Sequence, residues 1–189
     1  MSEAERHDGP PADTETERLF VAFWPDAELR ERIEAVAAPA VERARARPVP
    51  ADNLHVTLVF VGNWPVQARE QIEMVVDALD IPDAELVFDR IRYWRRPKVL
   101  SLVAEDCPEA LAIYQREMSA AMAALGWTPE TRPWEPHVTL GRKAQRSVRK
   151  TLEEPVVWPC RQVALVRSEN GRSNVNGGAV YRPLRIWER

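Results

Sequence analysis

The chain has 189 residues, with 26 Lys and Arg against 29 Asp and Glu, a formal net charge of -3, and 45% hydrophobic residues. That size suits one compact domain or two small lobes sharing a core, and the mild acidity argues against broad, nonspecific binding to a polyanion while leaving room for local basic patches. No apolar run approaches the roughly 20 residues that span a bilayer.

Residues 1–17 are acidic, contain proline and lack large apolar residues, so they read as a disordered tail rather than a signal or transit peptide. A cytoplasmic protein is the expectation, with one folded unit over residues 18–189. Residues 19–24 form an apolar run that reads as a buried strand, closed by Pro25-Asp26, with Asp26 placed to cap a helix. Helical spacing of Leu29, Ile33, Val36, Ala37 and Ala40 carries that helix to about Ala46, with a kink or break expected at Pro39. Pro48 and Pro50 mark a loop, and residues 54–61 read as a strand ended by Gly62-Asn63. Pro65 opens a second helix running through Val66, Ile72, Val75, Val76 and Leu79. Strands follow at 85–93 and 98–104, as a hairpin around Arg95-Arg96-Pro97. Pro108 opens a third helix, through Leu111, Ile113, Tyr114, Met118, Met122 and Leu125, and Gly126 ends it. Residues 137–142 read as a strand, 146–152 as a short helix, and 162–167 with 180–187 as a terminal strand pair around a Gly-, Asn- and Ser-rich loop. Cys107 and Cys160, the 2 cysteines, match no CxxC spacing, so neither a disulfide framework nor a structural zinc site is expected.

Two of the 3 histidines stand in a repeated tetrapeptide, His55-Val56-Thr57-Leu58 and His137-Val138-Thr139-Leu140. In a strand, residues i and i+2 share a face, so each His points the same way as its Thr while Val and Leu point into a core. A single His-x-Thr in a strand is ordinarily a satisfied polar pair. Two copies, each on a strand and in the same order in two half-chains, are not something core packing requires. Each half runs as helix, proline-containing loop and motif strand, which points to internal duplication. The expected fold is therefore α+β: a bilobal, pseudo-two-fold arrangement with antiparallel sheets lining a central cleft, helices on the outer faces, and the two histidines facing each other.

Paired imidazoles are the parts for acid and base chemistry near neutral pH: one withdraws a proton from the nucleophile, the other donates one to the leaving oxygen. Threonine hydroxyls beside them are donors for nonbridging phosphoryl oxygens. Neither motif has a third or fourth metal-ligand residue clustered near it, so no metal and no cofactor are expected. Basic residues gather at Arg90, Arg92, Arg95, Arg96 and Lys98, and again at Arg142, Lys143, Arg146, Arg149 and Lys150, directly after the second motif.

The motif pair resembles the signature of the 2H phosphoesterase superfamily. Flanking residues are similar to those of the RNA 2',3'-cyclic phosphodiesterases of bacteria and archaea, long called 2'-5' RNA ligases: Arg18 through Pro25, Asn53-Leu54, Phe60-Val61-Gly62, Pro136 and Gly141-Arg142. The resemblance spans about residues 18–187. It implies metal-independent hydrolysis of a terminal 2',3'-cyclic phosphate to a 2'-phosphomonoester, on RNA ends or nucleoside cyclic phosphates. By motif order it makes His55 the proton donor and His137 the proton acceptor, roles that near-symmetry leaves open to reversal. Thr57, Thr139 and Arg142 would bind phosphate.

Three places depart from the pattern: Val59 where relatives carry a basic residue, Ser101 where a bulky apolar one is common, and the loop 170–176. Tyr93, Trp94 and Trp134 are candidate base platforms, whereas Trp24, Trp64, Trp127, Trp158 and Trp187 read as packing anchors. Two other readings use the same cleft: 2'-5' RNA ligation in the reverse direction, and RNA or nucleotide binding without turnover. A monomer with no protein partner and no membrane association is expected.

Overall fold

The computed structural model describes residues 15–130, 132–169 and 178–189. Among these the order is β1 (Thr16–Phe23), α1 (Ala27–Ala44), β2 (Arg47–Pro48), β3 (Val56–Pro65), α2 (Arg69–Asp77), β4 (Glu85–Trp94), β5 (Val99–Ala104), α3 (Glu109–Ala124), β6 (His137–Arg142), β7 (Lys150–Pro159), β8 (Gln162–Glu169) and β9 (Val180–Glu188). The strands form one antiparallel sheet in the order β7-β4-β5-β6-β3-β1-β8-β9, with β2 added to β6. The α+β class holds. The separate sheets expected of two lobes are instead two four-stranded halves of a single sheet, joined where the motif strands β3 and β6 touch. That seam is one residue pair, Val56 opposite Val138, the second residue of each motif.

All three helices pack on one face of the sheet. Leu29 and Ile33 of α1, Ile72 and Val75 of α2, and Leu111 and Met118 of α3 share a core with Val56, Leu58, Val138 and Leu140. Each fully buried Val or Leu stabilises by roughly 1.5–3 kcal/mol. A one-residue slip of either motif strand would expose its whole apolar set, so burial fixes the register. On the helix-free face a small cluster of Phe20, Ala22, Trp24, Ala164 and Val166 packs with Tyr181. By alternation, His55, Thr57, His137 and Thr139 belong to this second face.

Several expectations change. Asp26 caps α1 through a 2.8 Å bond from Leu29 N–H, but Pro39 lies inside the helix without breaking it. Alanines at 37, 38 and 40 are strong helix formers, and Ala37, Ala40, Val41 and Ala44 are buried around the proline, so packing offsets one lost hydrogen bond. The second helix opens with a 3-10 turn over Val66–Ala68, and α2 ends at Asp77, leaving Leu79 beyond it. The short helix expected over 146–152 does not form: residues 143–149 are irregular and Lys150 begins β7. Val156, Val157 and Trp158 pair there with Phe88, Val87 and Leu86 of β4, and this pairing of β-branched and aromatic residues outweighs local helical spacing. The tail expected over 1–17 is shorter at its inner end, since Thr16 and Glu17 belong to β1 and Glu17 is buried against Arg69 and Arg167. The rest of that tail, 1–14, and loop residues 170–177 lie outside the described residues. Among the described residues no helix is long and apolar enough to cross a membrane.

Candidate active site

Each motif strand carries a bulge at the same place. In β3, Ala22 pairs with Thr57 and Val21 with Val59, leaving Leu58 as the extra residue; in β6, Ser101 pairs with Thr139 and Leu100 with Gly141, leaving Leu140. A bulge puts two consecutive residues on one face and re-aims the next. Leu58 and Val59 accordingly both join the core. Gly141 also faces it: a Cβ there would stand 3.0 Å from Ala46 Cβ and 3.4 Å from Val41 Cγ2. The next residues, Phe60 and Arg142, thereby return to the helix-free face. Strict alternation would have sent Arg142, five residues past His137, to the opposite side.

Antiparallel register about Val56 and Val138 sets Thr57 across from His137 and Thr139 across from His55. The four side chains thus mark the corners of one patch, with Arg142 at its border. Each imidazole is held in the same way. His55 Nδ1–H donates to the Asn53 carbonyl at 2.7 Å, and His137 Nδ1–H donates to the Glu135 carbonyl at 2.8 Å. In both cases the acceptor lies two residues upstream. Neutral rings are therefore fixed with the proton on Nδ1 and a lone pair on Nε2. On His55 that lone pair accepts from Thr57 Oγ1–H at 3.0 Å.

The rings differ in their surroundings. His55 is packed among Phe20, Tyr181 and Trp24, with ring centroids at 4.8, 5.3 and 6.2 Å. His137 meets Trp94 edge-on at 4.5 Å. Burial pushes the His55 pKa down to about 4, with the Asn53 carbonyl opposing and the charges of His137 and Arg142 adding to the drop. Burial also lowers His137, opposed by the Glu135 carbonyl and carboxylate and reinforced by Arg142. Arg142 bears on both rings, and His137 on His55, so the three groups share one electrostatic field.

The structure thus gathers His55, Thr57, His137, Thr139 and Arg142 on one patch. Of the candidate platforms, Trp94 reaches His137. The Trp134 indole is committed to the Thr57 carbonyl at 2.8 Å, and Tyr93 packs against the helix-side core. The Trp127 indole and Gln115 bond the carbonyls of Phe60 and Leu58 at 3.0 and 3.1 Å. These donors satisfy β3 where β6 leaves it after a single pair.

Sequence reasoning missed Asn53, whose side chain donates to the Ala179 carbonyl at 2.8 Å and accepts from Tyr181 N–H at 3.2 Å, stitching β9 to the His55 ring. Its place two residues before His55, like Glu135 before His137, was a readable signal. It also missed Phe60, which is 39% exposed beneath the Arg18 guanidinium at 4.9 Å, and it read Trp24 as packing alone. Among the described residues no group of three or more His, Cys, Asp and Glu is gathered. The carboxylate beside His137, Glu135, is ion-paired with Arg92 at 3.0 Å.

Comparison with known proteins shows the family and the fold. The chain is 30% identical over 177 residues to the RNA 2',3'-cyclic phosphodiesterase of Escherichia coli K12, covering 92% of this chain and 97% of that protein. It is 27% identical to the Aquifex aeolicus protein of the same name, over 72% of this chain and 76% of that one. The crystal structure of E. coli LigT in apo form matches with a TM-score of 0.79 at 30% identity, covering 93% of this chain and 98% of that one; the form complexed with 3'-AMP also gives 0.79. Residues 25–172 match the 2'-5' RNA ligase superfamily, and with the paired motif strands and near-complete overlap with these relatives, the chain belongs to that superfamily.

Proposed function

We propose that the chain hydrolyses 2',3'-cyclic phosphates on RNA ends or nucleosides to 2'-phosphomonoesters, using its two histidines as acid and base. One observation carries this reading: two imidazoles locked in the same tautomer on two strands that meet at Val56 and Val138, each with Nε2 turned away from its anchoring carbonyl, His55 Nε2 being released to the phosphate when the Thr57 hydroxyl turns to the substrate. The activity named for its E. coli relative is of this kind.

In the reaction His137 Nε2 takes a proton from water as its oxygen bonds to phosphorus. The P–O3' bond breaks, and His55 Nε2–H delivers a proton to the departing 3' oxygen. Thr57 and Thr139 donate to the nonbridging oxygens as charge grows on them, and Arg142 adds a cation at the border. A pKa of about 4 leaves His55 uncharged at neutral pH in the free protein. The anionic phosphate supplies what the ring lacks, because a negative charge in a partly desolvated site favours the imidazolium strongly. Substrate binding therefore brings a proton with it. The exposed Phe60 ring, on the same strand as Thr57, and the Arg18 guanidinium over it form an aromatic and cationic platform suited to stacking a nucleobase.

The chain itself supplies both proton transfers, so hydrolysis of a nucleoside 2',3'-cyclic phosphate is expected to survive EDTA and to give the 2'-phosphate. His55→Ala and His137→Ala are each expected to abolish turnover. Retained turnover in either variant, or a 3'-phosphate product, overturns the assignment. Adding a 5'-hydroxyl RNA as a nucleophile competing with water, and finding joined product in place of the 2'-phosphate, would establish ligation.

A further inference from the structure

The second motif threonine lacks the anchor that the first one has. Thr57 is hydrogen-bonded to His55 Nε2, whereas the hydrogen bond of the His137 ring runs from Nδ1 to the Glu135 carbonyl, and among the described residues Thr139 Oγ1 has no matching bond. Opposite Thr139 in the register, on the same face, stands Ser101. It is fully buried, and its Oγ has no hydrogen-bond partner among the described residues. Directly opposed residues have Cβ atoms about 4.5–5.5 Å apart, close enough for two hydroxyls to meet after one χ1 rotation. In the other half Ala22 occupies the corresponding station opposite Thr57 and brings no hydroxyl. The neighbours of Ser101 along the same face of β5 are Val99 and Val103, and Arg92, across from it on β4, is committed to Glu135. A buried hydroxyl without a partner costs stability that an alanine would not.

We propose that Ser101 is a positioning residue for Thr139: when phosphate binds, its hydroxyl turns and donates to Thr139 Oγ1, which directs the Thr139 proton toward a phosphoryl oxygen. The role rests on the phosphoryl chemistry proposed above. Thr139 then gains an orienting group of its own, distinct from the His55 ring that holds Thr57 in the free protein, and His137 Nε2 stays available for water. Donation into Thr139 also polarises its O–H, strengthening the bond it makes to the substrate.

The test is a double-mutant cycle on hydrolysis of a nucleoside 2',3'-cyclic phosphate. A hydrogen bond of ordinary strength corresponds to a factor of about 3 to 10 in rate. Ser101→Ala is expected to lower kcat by that factor with KM unchanged, without lowering the melting temperature. In a Thr139→Val background, Ser101→Ala is expected to add no further loss. Unchanged kcat in the single variant, or the full extra loss on top of Thr139→Val, overturns the proposal. If the unaltered protein turns over no cyclic phosphate, the proposed function falls, and the Ser101 role is read from a crystal structure with inorganic phosphate bound. Hydrogen-bond contact between Ser101 Oγ and Thr139 Oγ1 then supports it, and their separation overturns it.

Discussion

Replacing His55 with glutamine should flatten the acid side of the stability profile. The folded ring has its pKa pushed down to about 4, against 6.5 in the unfolded chain. Between those values the unfolded chain carries a proton on this ring that the folded chain does not, so stability rises with pH across that window and is lost as pH falls through it. The whole effect is at most about 3 kcal/mol at 1.36 kcal/mol per pKa unit. At about pH 5.5 roughly 1.4 kcal/mol of it has been lost. Urea denaturation of the unaltered protein and of His55→Gln, at about pH 8 and about pH 5.5, isolates this ring, because groups common to both cancel in the difference. The unaltered protein should lose about 1.4 kcal/mol more than the variant between the two conditions. Adding inorganic phosphate should shrink that gap, since a bound anion favours the charged ring. Parallel losses in the two proteins would falsify the view that folding holds His55 neutral.

Other outcomes follow from the same geometry. With a 3'-sulfur in place of the departing oxygen, His55→Ala should regain turnover while His137→Ala stays inactive, because a thiolate leaves without protonation; the reverse pattern would exchange the two roles. Arg142 lowers both imidazoles, so Arg142→Ala should move both limbs of the pH–rate profile upward and weaken substrate binding; limbs that stay put would place Arg142 outside the field of the rings. Asn53→Ala removes two partly buried bonds, to Ala179 and to Tyr181 of β9, and should cost about 1–3 kcal/mol of stability along with activity, read by denaturation and steady-state rates. Gly141→Ala presses a Cβ against Ala46 and should cost about 1–3 kcal/mol while displacing Arg142, visible as a raised KM.

The sequence made the motif pair legible because period-two alternation and a polar pair repeated in two half-chains have few structural explanations. Much of the surrounding architecture depended on pairing partners far away in the chain. Residues 146–152 have helical spacing locally, yet β7 exists because β4 offers it an edge. The single seam between the halves, Val56 against Val138, is a tertiary choice that neither motif announces. Face assignments beyond the motifs were hidden for a related reason. Bulges at Leu58 and Leu140 break the alternation on which sequence reasoning relies, so the placement of Phe60 on the face of the two histidines could not be counted out from His55. Tyr181 belongs to the site through a side-chain stitch from Asn53, which no periodicity encodes.

The matched bulges have a consequence for how a duplicated scaffold acquires direction. Two halves built alike would present the same surface to a ligand in either of two orientations. Here the same kink delivers an aromatic ring on one side, at Phe60, and an exposed cation on the other, at Arg142. A different residue at one station of each half is enough to give an otherwise even-handed patch a head and a tail.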